Sequence, residues 1–356
     1  MIHDFLIVGA GLAGLKAAHD LHAAGRKVLL LDKGRGVGGR AATRRWDGVP
    51  VDHGAQFFTV RFADFQGMVN RWKAHRVCFE WAGGFHQWDD DNRGLRAPGE
   101  DGGEQHPRYA CREGMSALAK NLVGALPRQS LRLQTRATAL RWHHDHWQLA
   151  VDGPEAANQP VPAGRTLVLA LPVPQILALL GDPAEAERSP FIHPDALRRL
   201  RATEYAPTLA VLLRGPADAP EWRGIQLRDH TLSWISDDSG KREPQPAPGQ
   251  NRVFVLHAGA DFSRQWQDAD LDEAARRMVA RAGEIVGDWI TQLPDRQMHR
   301  WRYANVPKGI EDGAALRGTG SAGAPIYFAG DAFLGAKIEG ACRSGLELAR
   351  ALLKEK

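Results

Sequence analysis

The sequence predicts an α/β protein of two domains: a doubly wound, Rossmann-like domain interrupted by an inserted α+β domain of mixed sheet and helix. Three observations predict it. The chain opens on a strand, a G-x-G-x-x-G turn, a helix and a second strand between Phe5 and Asp32. It closes on another apolar strand, Pro325 to Gly330, followed by Asp331 and a helix. Between these ends the pattern changes to short aromatic strands, Pro-rich loops and one long amphipathic helix, as an insertion would.

Phe5 to Val8 is a continuous apolar run, the pattern of a strand buried on both faces. Gly9, Gly11 and Gly14 follow. Gly9 permits the tight turn, Gly11 leaves room for a pyrophosphate against the backbone, and Gly14 lets the helix approach the sheet. The helix, Leu12 to about Ala24, begins at Leu12 and Ala13, whose end offers unpaired amides and a positive dipole to phosphates. Leu15, Ala18 and Leu21 form its apolar stripe, and Gly25 ends it. Val28 to Leu31 is the second strand, and Asp32 at its end can accept hydrogen bonds from an adenosine ribose. An acid there favours a 2'-hydroxyl over a 2'-phosphate, so FAD or NAD fits better than NADP. The Gly- and Arg-rich stretch that follows extends the site through Lys33, Gly39 and Arg40, with Arg40 expected to face phosphate oxygens. Arg35 and Arg44 are either further phosphate ligands or solvated surface.

The composition suits a soluble chain with a sizeable core: 356 residues, 43% hydrophobic and 25% charged, enough for about two domains at roughly 150 residues each. Lys and Arg number 46 against 42 Asp and Glu, a formal charge of +4. The two signs are mixed, with no basic tract, so nucleic-acid binding gains no support. Cys78, Cys111 and Cys342 are isolated, which argues against a disulfide framework or a metal site. The first strand starts within four residues of Met1 and no apolar run reaches about eighteen residues. No membrane span and a cytoplasmic location are therefore expected.

In the middle of the chain, Val51 to Val60 reads as a short strand and turn that brings Gly54, Ala55, Gln56 and Phe57 to a cofactor, with His53 either beside it or in a supporting position. Phe62 to His75 is a helix. Cys78 to Ala97 holds short aromatic strands, 94 to 105 a loop, and Met115 to Leu126 a helix. Ser130 to Val151 is a hairpin or meander, and Thr166 to Leu171 a buried strand that rejoins the first sheet. Ala206 to Leu213 and Arg252 to Ala258 are strands, Asp237 to Gln250 reads as an exposed loop, and Leu271 to Leu293 carries a helical pattern. These shifts divide the chain into 1–60, 108–175 and 297–356 for the nucleotide domain, and 61–107 and 176–296 for the substrate domain.

At the C terminus, Gly330, Asp331 and the start of a helix at Lys337, Glu339, Gly340 and Ala341 form a second anion and carbonyl site. NAD needs only the first turn; FAD, being longer, explains both.

These motifs resemble the FAD-binding amine oxidase superfamily, and more closely its renalase-like branch, over nearly the whole chain. GAGLAG with Asp32 and the Gly38-Gly39-Arg40 run are similar to the family's ADP-binding elements. DHGAQFFT at Asp52 to Thr59, REGMSALAKNL at Arg112 to Leu122, HRWRYAN at His299 to Asn305, and GD with EGA at Gly330, Asp331 and Glu339 to Ala341 resemble its flavin-domain segments. Lys16 and His53 depart from the pattern. The resemblance implies a GR-type two-domain flavoprotein with non-covalently held FAD that oxidises 2- and 6-dihydroNAD(P) isomers to NAD(P)+, reducing O2 to H2O2.

Hydride transfer to a flavin needs geometry and a dry pocket more than an acid-base triad. Trp234, His257, Arg300, Trp301 and Tyr303 are the expected pocket-wall residues. Other readings stay open: an amine oxidase, a desaturase-type oxidoreductase, a flavin hydroxylase, or an FAD-binding protein without turnover.

Overall fold

The structure is a computed structural model that describes residues 1–100, 106–181, 190–310 and 316–355. Part of the loop expected over 94 to 105 lies outside them; Gly94–Arg96 within it is a strand. The chain forms two compact units, one of 1–41, 118–204 and 306–356, the other of 42–117 and 205–305. Residues 42–60, 108–117 and 297–305 thus belong with the second unit, and 176–204 with the first.

In the first unit the apolar runs form a parallel sheet. The His3–Val8 strand lies between Val28–Leu31 and Ala163–Leu169, paired Phe5 to Val28 on one side and Phe5 to Thr166 on the other. Ile326–Phe328 pairs in parallel beyond Ala163–Leu169, and Leu131–Arg132 beyond Val28–Leu31. The antiparallel hairpin Arg136–His143 with His146–Asp152 extends one edge. Leu6, Ile7, Leu30, Leu167, Val168 and Phe328 are wholly buried, as a sheet covered on both faces requires. The Leu12–Ala23 and Lys337–Lys354 helices pack together at Gly345, where a Cβ would stand 2.2 Å from the Ala13 carbonyl oxygen.

The second unit is built on a seven-stranded sheet, largely antiparallel, that includes Glu204–Pro216, Leu232–Asp237, Asn251–Ala258 and Asp295–Lys308. Strand alternation assigns its two faces. Leu209, Val211, Ile235, Phe254 and Leu256 face the Leu271–Val286 helix, which contributes Ala275, Met278, Val279 and Ala282. Asp270 caps that helix, its Oδ1 accepting from the Asp272 and Glu273 amides, and Gly287 at φ 99° ends it short of the expected Leu293. The opposite face carries Trp234, Ser236, His257, His299 and Trp301.

Candidate functional site

The glycines of the first unit divide into two kinds. A Cβ on Gly9, at φ +113°, would lie 2.3 Å from the Ala170 carbonyl oxygen, and one on Gly14 would lie 2.0 Å from that of Gly9. Both serve the close fit of turn, helix and sheet. Gly11 has an ordinary φ of −72°, and a Cβ there would meet nothing within 4 Å. Its missing side chain answers no need of the protein's own packing; it leaves open space at the start of a helix that has no side-chain cap. Gly39 adjoins that space, with its Cβ position 3.4 Å from the Gly11 Cα. This open space lies where the G-x-G-x-x-G pattern leads a pyrophosphate to be expected.

Asp32 braces the turn: Oδ2 accepts from the Ala10 amide at 2.7 Å and Oδ1 from the Gly34 amide at 2.6 Å. Each oxygen has a second lone pair for a ribose hydroxyl. Lys33 is exposed, whereas Leu12 and Ala13 are buried in the first helical turn. Arg40 meets Asp331 in a bidentate pair at 2.6 and 2.7 Å, which joins the N-terminal glycine loop to the C-terminal motif. The Gly330 amide donates to Ser344 Oγ. Gly340 brings its helix against the preceding loop, its Cβ position 1.6 Å from the Gly335 carbonyl oxygen. Glu339 is buried, Lys337 is exposed at φ 81°, and Ala341 is half-buried. Among the expected cofactor residues, Gly11 and Gly39 adjoin and Arg40 meets Asp331, while Lys33 and Lys337 lie exposed.

In the second unit, Gln56 is held entirely by protein. Its Nε2 donates to the Asp52 and Gly54 carbonyls, and its Oε1 accepts from Ser236 Oγ and Lys241 Nζ, each at 3.0 Å. That fixes the turn carrying Gly54, Ala55 and Phe57. Lys241 also donates to Asp238 at 2.9 Å, and Arg242 to Asp52 at 2.9 Å and Asp238 at 2.6 Å. Asp52 further accepts from Thr43 Oγ1 and the Met115 amide, both at 2.7 Å.

Asp52, Asp238, Lys241 and Arg242 are all buried. The exposed loop expected over Asp237 to Gln250 is thus corrected at its start: two acids and two bases neutralise each other and turn inward. Burial raises the Asp52 pKa, but Arg242, Lys241 and the two hydrogen bonds outweigh it and hold the carboxyl below its ordinary value.

The aromatic groups lie beside this cluster. Phe85 contacts Phe57 and Trp234 with ring centroids 4.7 Å apart in each case, and Trp81 at 5.2 Å. Lys241 Nζ stands 4.9 Å over the Trp81 ring. Trp234 is the cross-strand partner of His257. Farther along the same face, His53 stacks on Trp301 at 5.3 Å and meets His299 at 4.7 Å, and Trp301 Nε1 donates to the His53 carbonyl.

Trp234, His257 and Trp301 thus share a face. Arg300 points the other way, bonded to Asp268 and the Gln267 carbonyl, because consecutive strand residues alternate. Tyr303 follows Trp301 and meets the Tyr205 ring at 5.9 Å. Trp81, Phe85, Lys241 and His299 are additions to the expected set. The pair of acids followed by a pair of bases within Asp237 to Arg242 was the available signal for Lys241.

Three histidines on this face are held neutral. Burial, then His299 and Arg44, lowers His53 to about 3. Burial and Lys241 lower His257 to about 4, and burial and Arg44 do the same to His299. Their ordinary pKa is about 6.5, so below that pH the unfolded chain binds more protons than the folded one. Their contribution to stability is complete above about pH 6.5 and is lost progressively as pH falls toward 4. Thermal unfolding at pH 7.5 and pH 5 should show a melting temperature several degrees lower at pH 5. His257→Gln should reduce that slope, and an unchanged slope would contradict a neutral buried imidazole.

Residues 7–72 match the NAD(P)-binding Rossmann-like domain, and 84–353 match the flavin containing amine oxidoreductase model. Over 49 residues the chain is 53% identical to (S)-6-hydroxynicotine oxidase of Paenarthrobacter nicotinovorans, a stretch covering 14% of this chain and 12% of that protein. Over 60 residues it is 45% identical to hydroxyneurosporene desaturase of Rubrivivax gelatinosus, covering 17% and 11%. The chain thus spans about an eighth of the length of these curated relatives.

Among solved structures, putrescine oxidase superposes with a TM-score of 0.72 at 13% identity, covering 99% of both chains. Cyclohexylamine oxidase from Brevibacterium oxydans gives 0.65 at 13%, covering 100% of this chain and 99% of the other. These two show the shared fold. Among the described residues no helix is long and apolar enough to cross a membrane. With a family match across most of its length, the chain belongs to the flavin containing amine oxidoreductases and uses FAD as its cofactor.

Proposed function

We propose that the protein is an FAD-dependent oxidase of the renalase-like branch that converts 2- and 6-dihydroNAD(P) isomers to NAD(P)+. Bound FAD would supply the redox chemistry, a two-electron oxidation of the dihydropyridine coupled to reduction of O2, with a proton, to H2O2. In the first unit, Gly11, Asp32 and the helix start would hold the ADP half.

The observation that carries the reading is the chemical character of the second unit's aromatic face. Its histidines are neutral, its flat surfaces are Trp and Phe rings, and the carboxylates nearest to it, Asp52 and Asp238, are already paired with Lys241 and Arg242. An uncharged dihydropyridine ring can stack there at little desolvation cost. Among the described residues of this face an alkylammonium would find no unpaired acid, and it would meet Lys241 and Arg44.

Amine oxidation is the second reading. It is favoured by the names of the similar oxidases and by the affinity of indole faces for cations. Anaerobic stopped-flow mixing of the FAD-loaded protein with 6-dihydroNAD, ordinary NADH, putrescine and cyclohexylamine separates the two. Rapid bleaching of the flavin by 6-dihydroNAD alone is expected. Bleaching by an amine, with none by 6-dihydroNAD, would replace the proposal with the second reading.

A further inference from the structure

Among the described residues, the indole Nε1 atoms of Trp81 and Trp234 and the Nε2 of His257 are buried and make no hydrogen bond. A buried donor or acceptor without a partner costs about 1–3 kcal/mol, so three such atoms in one neighbourhood point to a ligand that pairs them. The neighbourhood is a single one. Phe85 touches both indoles, at 5.2 and 4.7 Å between ring centroids, and His257 sits opposite Trp234 across the Leu232–Asp237 and Asn251–Ala258 strands.

Trp81 and Trp234 are only 3% and 6% exposed, so bulk water does not satisfy their N–H groups. The chemical signs of the three atoms also differ. An indole nitrogen can only donate. The His257 ring is held neutral by burial and Lys241, and a neutral imidazole has one acceptor nitrogen, the role that Nε2 takes here.

Two donors and one acceptor beside stacked aromatic rings match a primary carboxamide on a flat ring. Its carbonyl oxygen has two lone pairs and its amide nitrogen has hydrogens to give. We infer that Trp81, Trp234 and His257 form the recognition site for such a carboxamide, the indoles donating to its oxygen and His257 Nε2 accepting from its NH2. This rests on the dihydronicotinamide reading above and deepens it by naming the residues that select the ring substituent. A ring without the carboxamide leaves all three atoms unpaired, and an alkylammonium can pair only His257 Nε2, which is how the site discriminates.

The test uses the FAD-loaded protein and two small probes, nicotinamide and 3-methylpyridine, which differ in the carboxamide. Calorimetric titration should show nicotinamide binding at least about tenfold more tightly. Trp81→Phe and Trp234→Phe keep the ring and remove the donor; each should weaken nicotinamide binding by about tenfold, as loss of one buried hydrogen bond does, while 3-methylpyridine binding stays the same. In the wild-type protein, the Trp81 and Trp234 indole N–H resonances should both move downfield on adding nicotinamide. That measurement decides the matter if either variant fails to retain FAD.

Equal binding of the two probes, or unmoved indole resonances, would overturn the inference. Reduction of the flavin by 6-dihydroNAD, measured in parallel, tests the function separately. Carboxamide selection without reduction leaves this site standing and removes the catalytic reading. Reduction with unshifted indoles does the reverse.

Discussion

Lys241→Met should destabilise the protein by about 3–5 kcal/mol, the usual cost of removing one partner from a buried ion cluster. Lys241 and Arg242 neutralise Asp52 and Asp238 in a site with almost no solvent access. Without the ammonium the cluster carries net negative charge, and Gln56 Oε1 loses one of its two donors. Methionine fills much of the vacated volume, so the loss would be electrostatic rather than a cavity effect.

Urea unfolding of the variant and the wild type at pH 7.5 measures the difference. The double variant Lys241→Met, Asp238→Leu should lose less than the two single variants summed, because it leaves Asp52 and Arg242 balanced against each other. A loss under about 1 kcal/mol for Lys241→Met, in the range of an exposed pair, would mean that water reaches the cluster. The same variant loosens the turn at Gly54 to Phe57, so the effect reaches beyond stability to the segment expected beside the flavin.

Gly11→Val should leave the apo fold nearly intact and remove FAD binding. The backbone there is extended, at φ −72° and ψ 174°, which valine adopts readily, and a Cβ meets no protein atom within 4 Å. The change in apo stability should stay within about 1 kcal/mol, the scale of a poorer N-cap residue. The new side chain would fill the space required by the pyrophosphate, and FAD affinity should fall by about 100-fold or more, equivalent to roughly 2.7 kcal/mol. Melting of the apo protein and quenching of flavin fluorescence read the two quantities separately. Unchanged FAD affinity would move the phosphate site away from Gly11. Gly14→Val is the contrasting case: its Cβ would collide with the Gly9 carbonyl, and the apo fold itself should fail.

The nucleotide half of the protein was legible from sequence because its determinants are local. A glycine in a strand-to-helix turn states its backbone requirement within a few residues, and the apolar runs on either side give the sheet. The C-terminal helix was readable for the same reason, although the Arg40–Asp331 pair that ties it to the glycine loop joins residues 291 apart in the chain.

The second unit was less legible. Trp301 and Arg300 are neighbours in sequence, yet strand alternation sends them to opposite faces, and only the strand assignment of Asp295–Lys308 reveals which side each takes. The start of the charged, Pro-containing stretch after Ser236 has the composition of a solvated loop. It is buried because Asp52, brought from almost two hundred residues away, completes the charge balance.

From sequence alone the protein was determined to be a two-domain, dinucleotide-binding α/β chain with FAD as the cofactor that explains both ends. Tertiary structure alone decided which side chains meet on the aromatic face and which polar atoms there stay unpaired. Backbone demands are written locally in residue type, whereas the sign of a buried charge's contribution and the satisfaction of a buried hydrogen bond depend on distant partners that folding supplies.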